Sequence, residues 1–282
     1  MKSREQGGWQ EGLDKLPTLG IAHVFTAAFN FTTDTVTIAE LEARKLHHDF
    51  TELLTRAVQP ALWLLIFGEV LAQMRAIPTG QLSYLDFMTP GILAQSVLFI
   101  AIFYGIAVIW ERDLGILHKM LASPAPRSAL VLGKAFSASE RGLSQAVIIY
   151  VLAILIGVHI NWSPVSVLGV LLVVILGSAL FSTFSLIIAC LVRTRERFMG
   201  VGQLLTMPLF FASNAIYPIS IMPVWLQAIS RGNPLTYEVD ALRSLMVIGG
   251  VSVYGTLVDI IALIVSTAVL VLIAARLYPR VI

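Results

Sequence analysis

The sequence predicts an all-α integral membrane protein with six transmembrane helices and cytoplasmic N and C termini. Three observations lead to this class: the composition, the length of the apolar runs and the distribution of positive charge. Hydrophobic residues make up 57% of the 282 residues and charged residues 13%, with a mean hydropathy of +0.84. Soluble domains have about half apolar and about a quarter charged residues, so the composition excludes an ordinary soluble enzyme.

Six apolar runs are each long enough to cross a membrane as a helix. A hydrocarbon layer of about 30 Å requires roughly 20 helical residues. The runs are residues 57–74, 87–110, 142–160, 165–192, 198–219 and 254–275. We expect each run to form one spanning helix.

The basic residues fall mostly on one side of these runs. Of the 19 Lys and Arg residues, all but Arg75, Arg231 and Arg243 lie before the first run, in the second-to-third or fourth-to-fifth link, or at the C-terminal end. Cytoplasmic loops carry the excess of Lys and Arg. We therefore predict a multi-pass membrane protein with cytoplasmic termini.

The chain divides into three segments. We expect residues 1–36 to form a cytoplasmic N-terminal tail, for which the sequence indicates no role, residues 37–56 an amphipathic helix, and residues 57–282 the six-span domain. Thr37 and Glu40 have the spacing of a capping box, and apolar residues then recur at helical spacing between charged ones. Such a helix, joined directly to a span, is expected to lie in the membrane interface; packing on a soluble domain is the alternative.

Two links between runs predict further short helices. In the first cytoplasmic loop, Leu114, Leu117 and Leu121 form a narrow apolar stripe flanked by charged residues. That helix either lies on lipid or inserts its stripe into a groove of a soluble partner. In the last external link, the apolar pieces 219–229 and 242–248 are too short to span. We expect them to form two short re-entrant helices before the last span.

The sequence contains no motif for nucleotide, metal or hydrolytic chemistry. It lacks a Gly-x-x-x-x-Gly-Lys-Ser/Thr phosphate loop and a Gly-x-Ser-x-Gly nucleophile elbow. None of its five histidines belongs to a His-Glu-x-x-His pattern. We therefore expect no catalytic residues, no metal site and no cofactor bound by this chain.

Two stretches of the sequence are similar to a known family. One is residues 110–124, and the other runs from residues 214–223 on to residues 233–243. They resemble the permease subunit of the type-2 ABC exporter family, in its daunorubicin-resistance-like and nodulation-factor-like branch, over roughly residues 40–275. The resemblance implies six spans, an amphipathic helix before the first span, a coupling helix in the first cytoplasmic loop and short re-entrant helices before the last span.

By this resemblance, residues 111–122 are the coupling helix, which docks on a separate ATP-hydrolysing subunit. ATP and magnesium would then be held by that subunit, and two permease copies, identical or paralogous, would enclose the path. Solvated loop charges are the alternative explanation for the charged members of the helix. The residues implied in ATPase coupling are Glu111, Arg112, Asp113, Leu114, Leu117, His118, Lys119 and Leu121.

Six further residues are candidates for the substrate path. An ionisable residue inside a membrane is a functional candidate by default, although Glu69 lies close enough to the outer interface to be simply solvated or paired; Asp259 has the same explanation. The fifth run combines polar and aromatic side chains that suit an amphiphilic cargo and equally suit helix–helix hydrogen bonding. The candidates are Glu69, Gln203, Met207, Phe210, Phe211 and Asn214.

The sequence therefore predicts the membrane subunit of an ATP-driven ABC exporter for an amphiphilic substrate, such as a drug, a lipid or a lipid-linked glycan. The expected partners are an ABC ATPase, a second permease copy or paralogue, and membrane lipid, but no nucleic acid. A stand-alone secondary transporter driven by an ion gradient is one alternative, supported by Glu69 alone. A membrane-embedded enzyme is another, and it would require a cluster of acid/base or metal-binding residues.

Overall fold

The computed structural model describes residues 58–74, 77–115, 127–192 and 194–277, with side chains from residue 130 onwards in the third range. Within these ranges the chain is helical and contains no β-strand, apart from one isolated antiparallel bridge between Ile160 and Val247. The all-α class is confirmed for this part of the chain. The predicted tail 1–36 and the predicted amphipathic helix 37–56 lie outside it.

The described chain forms eight α-helices, numbered here in chain order. They are α1 Val58–Met74, α2 Tyr84–Asp113, α3 Arg127–Leu155, α4 Pro164–Leu191, α5 Arg195–Phe211, α6 Val224–Gly232, α7 Pro234–Met246 and α8 Thr256–Leu277. Within α1, Trp63–Gly68 is a π-helical segment, and a 3₁₀ turn at Ile219–Ile221 precedes α6.

Four of these helices are long and apolar enough to cross a membrane: α2, α3 from Leu130 onwards, α4 and α8. The chain is therefore a multi-pass membrane protein by length and composition. Each of the other two predicted spans corresponds to a helix of 17 residues, α1 and α5. Seventeen residues rise about 26 Å, slightly less than the hydrocarbon layer, so six spans stay a prediction.

Helix α3 differs most from its predicted span, because it begins at Arg127 instead of near residue 142. Its first turns carry polar side chains that the sequence pattern assigns to a loop. Those side chains have partners inside the bundle: Ser137 bonds to the Tyr104 hydroxyl at 2.8 Å, and Lys134 pairs with Glu111. The helix ends at Leu155, and Gly157 follows with a φ of +79°.

Helix α5 ends at Phe211, eight residues before the end of the fifth predicted span. The chain then turns, with the Ser213 hydroxyl donating back to the Phe210 carbonyl at 2.7 Å. The segment that follows is non-helical and almost completely buried from Ala212 to Ile216. The predicted fifth run therefore combines a helix with a buried loop.

The two short helices predicted before the last span are present, but with different boundaries. Helix α6 begins only at Val224, and α7 begins at Pro234. The Asn233 side chain accepts a hydrogen bond from the Leu235 amide at 3.0 Å and caps α7, and proline is well suited to the first position of a helix. Helix α7 packs against α2, α4 and α8, so it lies inside the bundle.

Helix α4 is at the centre of the fold, where it contacts α2, α3, α7 and α8. Its small residues permit close approach: the Ser185 hydroxyl accepts a hydrogen bond from the Gly105 amide at 3.0 Å, and Gly142 of α3 packs on Ser178. The apolar section of α2 is 78% buried, whereas that of α8 is 22% buried. Helix α8 therefore presents most of its apolar surface to the outside of the bundle, as expected for a lipid-facing helix.

Contacts between loops define two ends of the bundle. At one end, Asp113 of α2 meets Arg195 of α5 at 3.1 Å. At the other end, Asp86 accepts a hydrogen bond from the His159 amide at 2.9 Å, and the Asn161 amide donates to the Met246 carbonyl at 2.8 Å. Helices α2, α3 and α4 therefore alternate in direction.

Gly91→Ala tests the approach of the buried loop to α2. A Cβ at Gly91 would lie 2.4 Å from the Ala215 carbonyl oxygen, so the two backbones would have to separate. We expect the variant to lose about 1–3 kcal/mol of stability, measured as a lower thermal unfolding temperature in detergent. Gly200→Ala in α5 is the control, because its Cβ would meet no described atom within 4 Å. Equal unfolding temperatures for the two variants would contradict this packing.

Candidate functional site

A buried ion pair lies at the last turn of α2. Lys134 Nζ of α3 is 2.5 Å from Glu111 Oε2, and both side chains are buried. Glu111 is thus not the first residue of a separate coupling helix, as the sequence resemblance implied. Helix α2 continues through residue 111 to Asp113. The Glu111 side chain contacts Lys134 of α3. Removing one partner of such a buried pair costs about 3–5 kcal/mol, so the pair fixes α2 against α3.

Beyond this pair, α2 ends in an exposed charged tip. Asp113 accepts hydrogen bonds from Arg112 and Arg195, each at 3.1 Å. The Arg195 guanidinium also stacks 3.4 Å from the centre of the Trp110 ring, so the tip is joined to the start of α5. Leu114 is 67% exposed, and Gly115 has a φ of +69° that turns the chain away from the helix axis.

The tip brings together part of the predicted coupling set. Arg112, Asp113 and Leu114 are adjacent at the surface of this end of the bundle. The other predicted members (Leu117, His118, Lys119 and Leu121) lie outside the described residues. The part of the predicted coupling helix 111–122 that lies beyond Gly115 therefore stays a prediction.

A buried polar network surrounds α7. Asp240 is completely buried, and its Oδ2 accepts hydrogen bonds from the backbone amides of Val253 at 2.6 Å and Tyr254 at 3.2 Å. Ser252 Oγ lies 3.0 Å from the same oxygen and 2.7 Å from Asp259 Oδ2. This carboxylate therefore holds the loop that precedes α8.

Arg243, one turn after Asp240, holds two other segments. Its Nη2 donates to the Asn214 carbonyl at 2.7 Å, and its Nε donates to the Phe87 carbonyl at 3.3 Å. Its guanidinium lies 3.8 Å from the centre of the Phe87 ring. Burial lowers the pKa of Arg243 to about 10, opposed by the charge of Asp240, so the side chain stays protonated near neutral pH.

The six residues predicted for a substrate path do not converge. Asn214 is buried in the α7 network, where its amide lies 3.3 Å from Asp240. Phe210 is completely buried against Trp63 of α1, and the neighbouring Phe211 is partly exposed. The separation arises because α5 ends at Phe211, so residue 214 no longer lies on a face of that helix. The other three candidates lie elsewhere: Gln203 and Glu69 are exposed, and Met207 is half-buried.

Glu238 is a functional candidate that sequence reasoning missed. It is completely buried, and neither carboxylate oxygen has a partner in the part of the chain that the structure describes. The carboxylate lies over Gly177 of α4, where a Cβ would come within 2.2 Å of Oε1. Burial raises the pKa of Glu238 well above its ordinary value. Thr236, Asp240 and Arg243 share one face of α7, whereas Glu238 lies on the opposite, otherwise apolar face; this placement is the signal that could have identified it.

No cluster of three or more His, Cys, Asp or Glu side chains that could hold a metal ion occurs in the four described ranges. Asp240 and Arg243 of α7 instead bind backbone groups of neighbouring segments. The geometry therefore offers two regions of interest: an exposed charged tip on α2 and a buried network on α7.

Comparison with known proteins gives the family. Residues 34–247 match the model of the ABC-2 type transporter family. The chain belongs to this family. The match includes the tip of α2, the predicted coupling segment and the whole of α7. The resemblance stated from residues 110–124 and 214–243 is confirmed.

Three relatives illustrate the range of the family. The chain is 32% identical over 199 residues to the transport permease ycf38 of Cyanophora paradoxa, which covers 68% of this chain and 67% of that protein. It is 25% identical over 199 residues to the daunorubicin resistance ABC transporter permease protein DrrB1 of Streptomyces coeruleorubidus, covering 71% and 70%. It is 28% identical over 197 residues to nodulation protein J of Rhizobium leguminosarum bv. trifolii, covering 69% and 73%.

Family membership identifies the chain as the membrane subunit of an ABC transporter. Members of the family are transport components, and membership implies partnership with an ABC ATPase subunit. The sequence of residues 1–282 contains no Gly-x-x-x-x-Gly-Lys-Ser/Thr phosphate loop.

Glu238→Gln tests the protonation of the buried carboxyl. Between the ordinary glutamate pKa and the raised one, the folded chain binds a proton that the unfolded chain releases, so the free energy of unfolding falls as pH rises. Glutamine imitates the protonated acid and removes this loss. We expect the variant to be more stable than the parent near pH 8, and the difference to shrink towards pH 5. Thermal unfolding against pH measures it.

The control for Glu238→Gln is Glu69→Gln, which changes an exposed carboxylate on α1. We expect it to leave the pH dependence of the unfolding temperature as in the parent. A Glu238→Gln chain whose unfolding temperature follows the parent at every pH would show that Glu238 is ionised in the folded protein.

Proposed function

We propose that the chain is the membrane-spanning subunit of an ATP-driven exporter, which moves an amphiphilic substrate out of the cytoplasm or the inner leaflet of a bacterial plasma membrane. The observation that carries this proposal is the family match over residues 34–247 in a chain without a phosphate loop. The direction of transport is supported by a relative named for daunorubicin resistance, since efflux is one route to resistance. Drugs, lipids and lipid-linked glycans all fit the same fold.

The tip of α2 is the proposed contact with the ATPase. Arg112, Asp113 and Leu114 are adjacent there, and the chain leads directly into the predicted amphipathic segment 116–122. The tip is backed by the Glu111–Lys134 pair and by the stacked Arg195. A displacement of the tip would therefore move α2, α3 and α5 together. ATP and magnesium belong to the partner subunit in this proposal.

Helix α2 provides a route from the ATPase contact to the opposite end of the bundle. It is a single helix of 30 residues, about 45 Å long. At its far end, the Phe87 carbonyl accepts from Arg243 of α7. A displacement of α2 along its axis would therefore move α7 and the loops that α7 holds.

The proposed assembly contains two permease subunits, identical or paralogous, and two ATPase subunits. Support for a lateral partner comes from α1, which packs on α2 and, through Trp63, on Phe210 of α5. It exposes Leu62, Ile66 and Phe67 on its outer side. A second permease subunit would cover part of this face, and membrane lipid the remainder.

A secondary transporter driven by an ion gradient is the alternative function. Glu238 supports it better than Glu69 does, because Glu238 is a buried carboxyl able to take up a proton, whereas Glu69 is exposed. Transport by the purified chain in liposomes under a proton gradient, without any ATPase, would favour this alternative over the exporter.

Leu117→Asp tests the ATPase contact. A charge on the apolar stripe would have to be desolvated in the groove of the partner, so we expect capture of the co-encoded ATPase by the tagged chain to fall about tenfold or more. ATP hydrolysis of the reconstituted mixture would fall in parallel. Leu117→Met is the control and should bind as the parent does. Normal capture by the aspartate variant, or ATP hydrolysis by the chain alone, would contradict the proposal.

The orientation can be tested by single-cysteine labelling in a Cys190→Ser background. We expect cysteines at Gln81 and Val251 to react with a membrane-impermeant maleimide in intact cells. Cysteines at Ser128 and Thr194 should react only after lysis, because the excess of Lys and Arg marks their side as cytoplasmic. The parent without cysteine gives the background signal, and the reverse pattern would overturn the orientation.

A further inference from the structure

Gln95 is buried in the middle of α2 and has no hydrogen-bond partner among the described residues. Its side chain is 2% exposed, and neither Nε2 nor Oε1 makes a hydrogen bond with any described residue. Leaving a buried polar group unsatisfied costs about 1–3 kcal/mol. Groups of this kind are rare in native proteins and require an explanation.

The amide borders a cavity between α1 and α2. This cavity has a volume of about 260 Å³, and it is lined by Gln95, Phe99 and Phe103 of α2 and by Gln59 and Pro60 of α1. The Phe99 and Phe103 rings are 6.3 Å apart and tilted by 32°. A volume slightly below the usual range of about 300–1,000 Å³ for ligand pockets is suitable for one small ring system or part of a larger molecule.

The lining defines the chemistry of an occupant. None of the described residues that line the cavity carries a charge, so a charged group placed there would be buried without a counter-ion, at a high cost. Gln95 offers one donor group and one acceptor, whereas the Ser96 hydroxyl is already donating to the Ile92 carbonyl at 2.7 Å. The phenylalanine rings offer apolar contact. The occupant is therefore uncharged, with an aromatic or apolar body and at least one hydrogen-bonding group.

A second cavity adjoins this site on the side of the charged tip of α2. Its volume is about 240 Å³, and it shares Ile100 and Phe103 with the first cavity. It extends along α2 to Trp110 and to Arg141, whose guanidinium lies 4.9 Å from the centre of the Tyr104 ring. From Gln95 to Trp110 the helix rises about 22 Å. A molecule could therefore reach Gln95 from the end of the bundle where the ATPase would dock.

We propose that the cavity between α1 and α2 binds the cargo as an uncharged aromatic amphiphile, hydrogen-bonded to Gln95. This inference rests on the proposed transport function and names the chemical class of the substrate. None of the six residues predicted from sequence for the substrate path lines this cavity.

Two matched probes test the site: N-pentyl dansylamide, which is uncharged, and dansyl cadaverine, which differs by a terminal ammonium group. Binding to the purified chain in nanodiscs is followed by energy transfer from tryptophan to dansyl, with empty nanodiscs subtracted. We expect saturable binding of the uncharged probe, and binding of the cationic probe weaker by about tenfold or more. Gln95→Leu should weaken binding of the uncharged probe by a similar factor.

Gln73→Leu is the matched control, since it makes the same change at an exposed amide near the end of α1 and should bind as the parent does. Ser96→Phe is a second variant, which should abolish binding by filling the cavity. Equal affinity of the parent for both probes, unchanged binding by Gln95→Leu and Ser96→Phe, or no saturable binding by the parent would each overturn the proposal. No ATPase is present in this measurement, so its failure is distinguishable from failure of the transport proposal, which the capture experiment tests separately.

Discussion

The buried charges of α7 are the constraint on which the rest of the bundle depends. A non-helical backbone inside an apolar bundle has amide and carbonyl groups that water does not reach, and each must find a partner in the protein. Asp240 accepts from the amides of Val253 and Tyr254, while Arg243 donates to the carbonyls of Asn214 and Phe87. The two side chains thereby stabilise the turn before α8 and the loop after α5. Without them, neither break in the helical pattern would be tolerated at these positions.

Helix α2 joins this network to the charged end of the bundle. At one end it lies against the loop after α5 so closely that only glycine fits at position 91. At the other end the Glu111–Lys134 pair and the stacking of Arg195 on Trp110 hold it to α3 and α5. Between these anchors, Gln95 is the polar group left without a protein partner among the described residues of this helix. The helix is thus fixed at both ends and open to a ligand near its middle.

Much of this fold is predictable from the sequence, and the exceptions have a common cause. The runs 165–192 and 254–275 differ by one or two residues from α4 and α8, because an uninterrupted apolar stretch has no other stable form in a membrane. The predicted start of α3 was wrong because Lys134, taken alone, is typical of a loop. Its place in a helix is explained only by its partner, Glu111. Arg243 was counted among external loop charges for the same reason. The partner of a buried polar side chain depends on how the helices pack, which the periodicity of a single helix does not contain.

The π-helical segment of α1 affects the shape of the cavity that Gln59 and Pro60 line at the N-terminal end of that helix. A π-helical turn accommodates one extra residue, and one residue corresponds to about 100° of rotation around a helix axis. The π-helical stretch Trp63–Gly68 separates the C-terminal part of α1, Glu69–Met74, from Gln59 and Pro60. The turn that contains Gln59 and Pro60 is therefore rotated around the helix axis relative to Gly68, which contacts Leu85 of α2. The π-helical segment, several residues away, therefore determines which α1 side chains face Gln95. In a homologue whose α1 is a regular α-helix, different side chains would face the same amide.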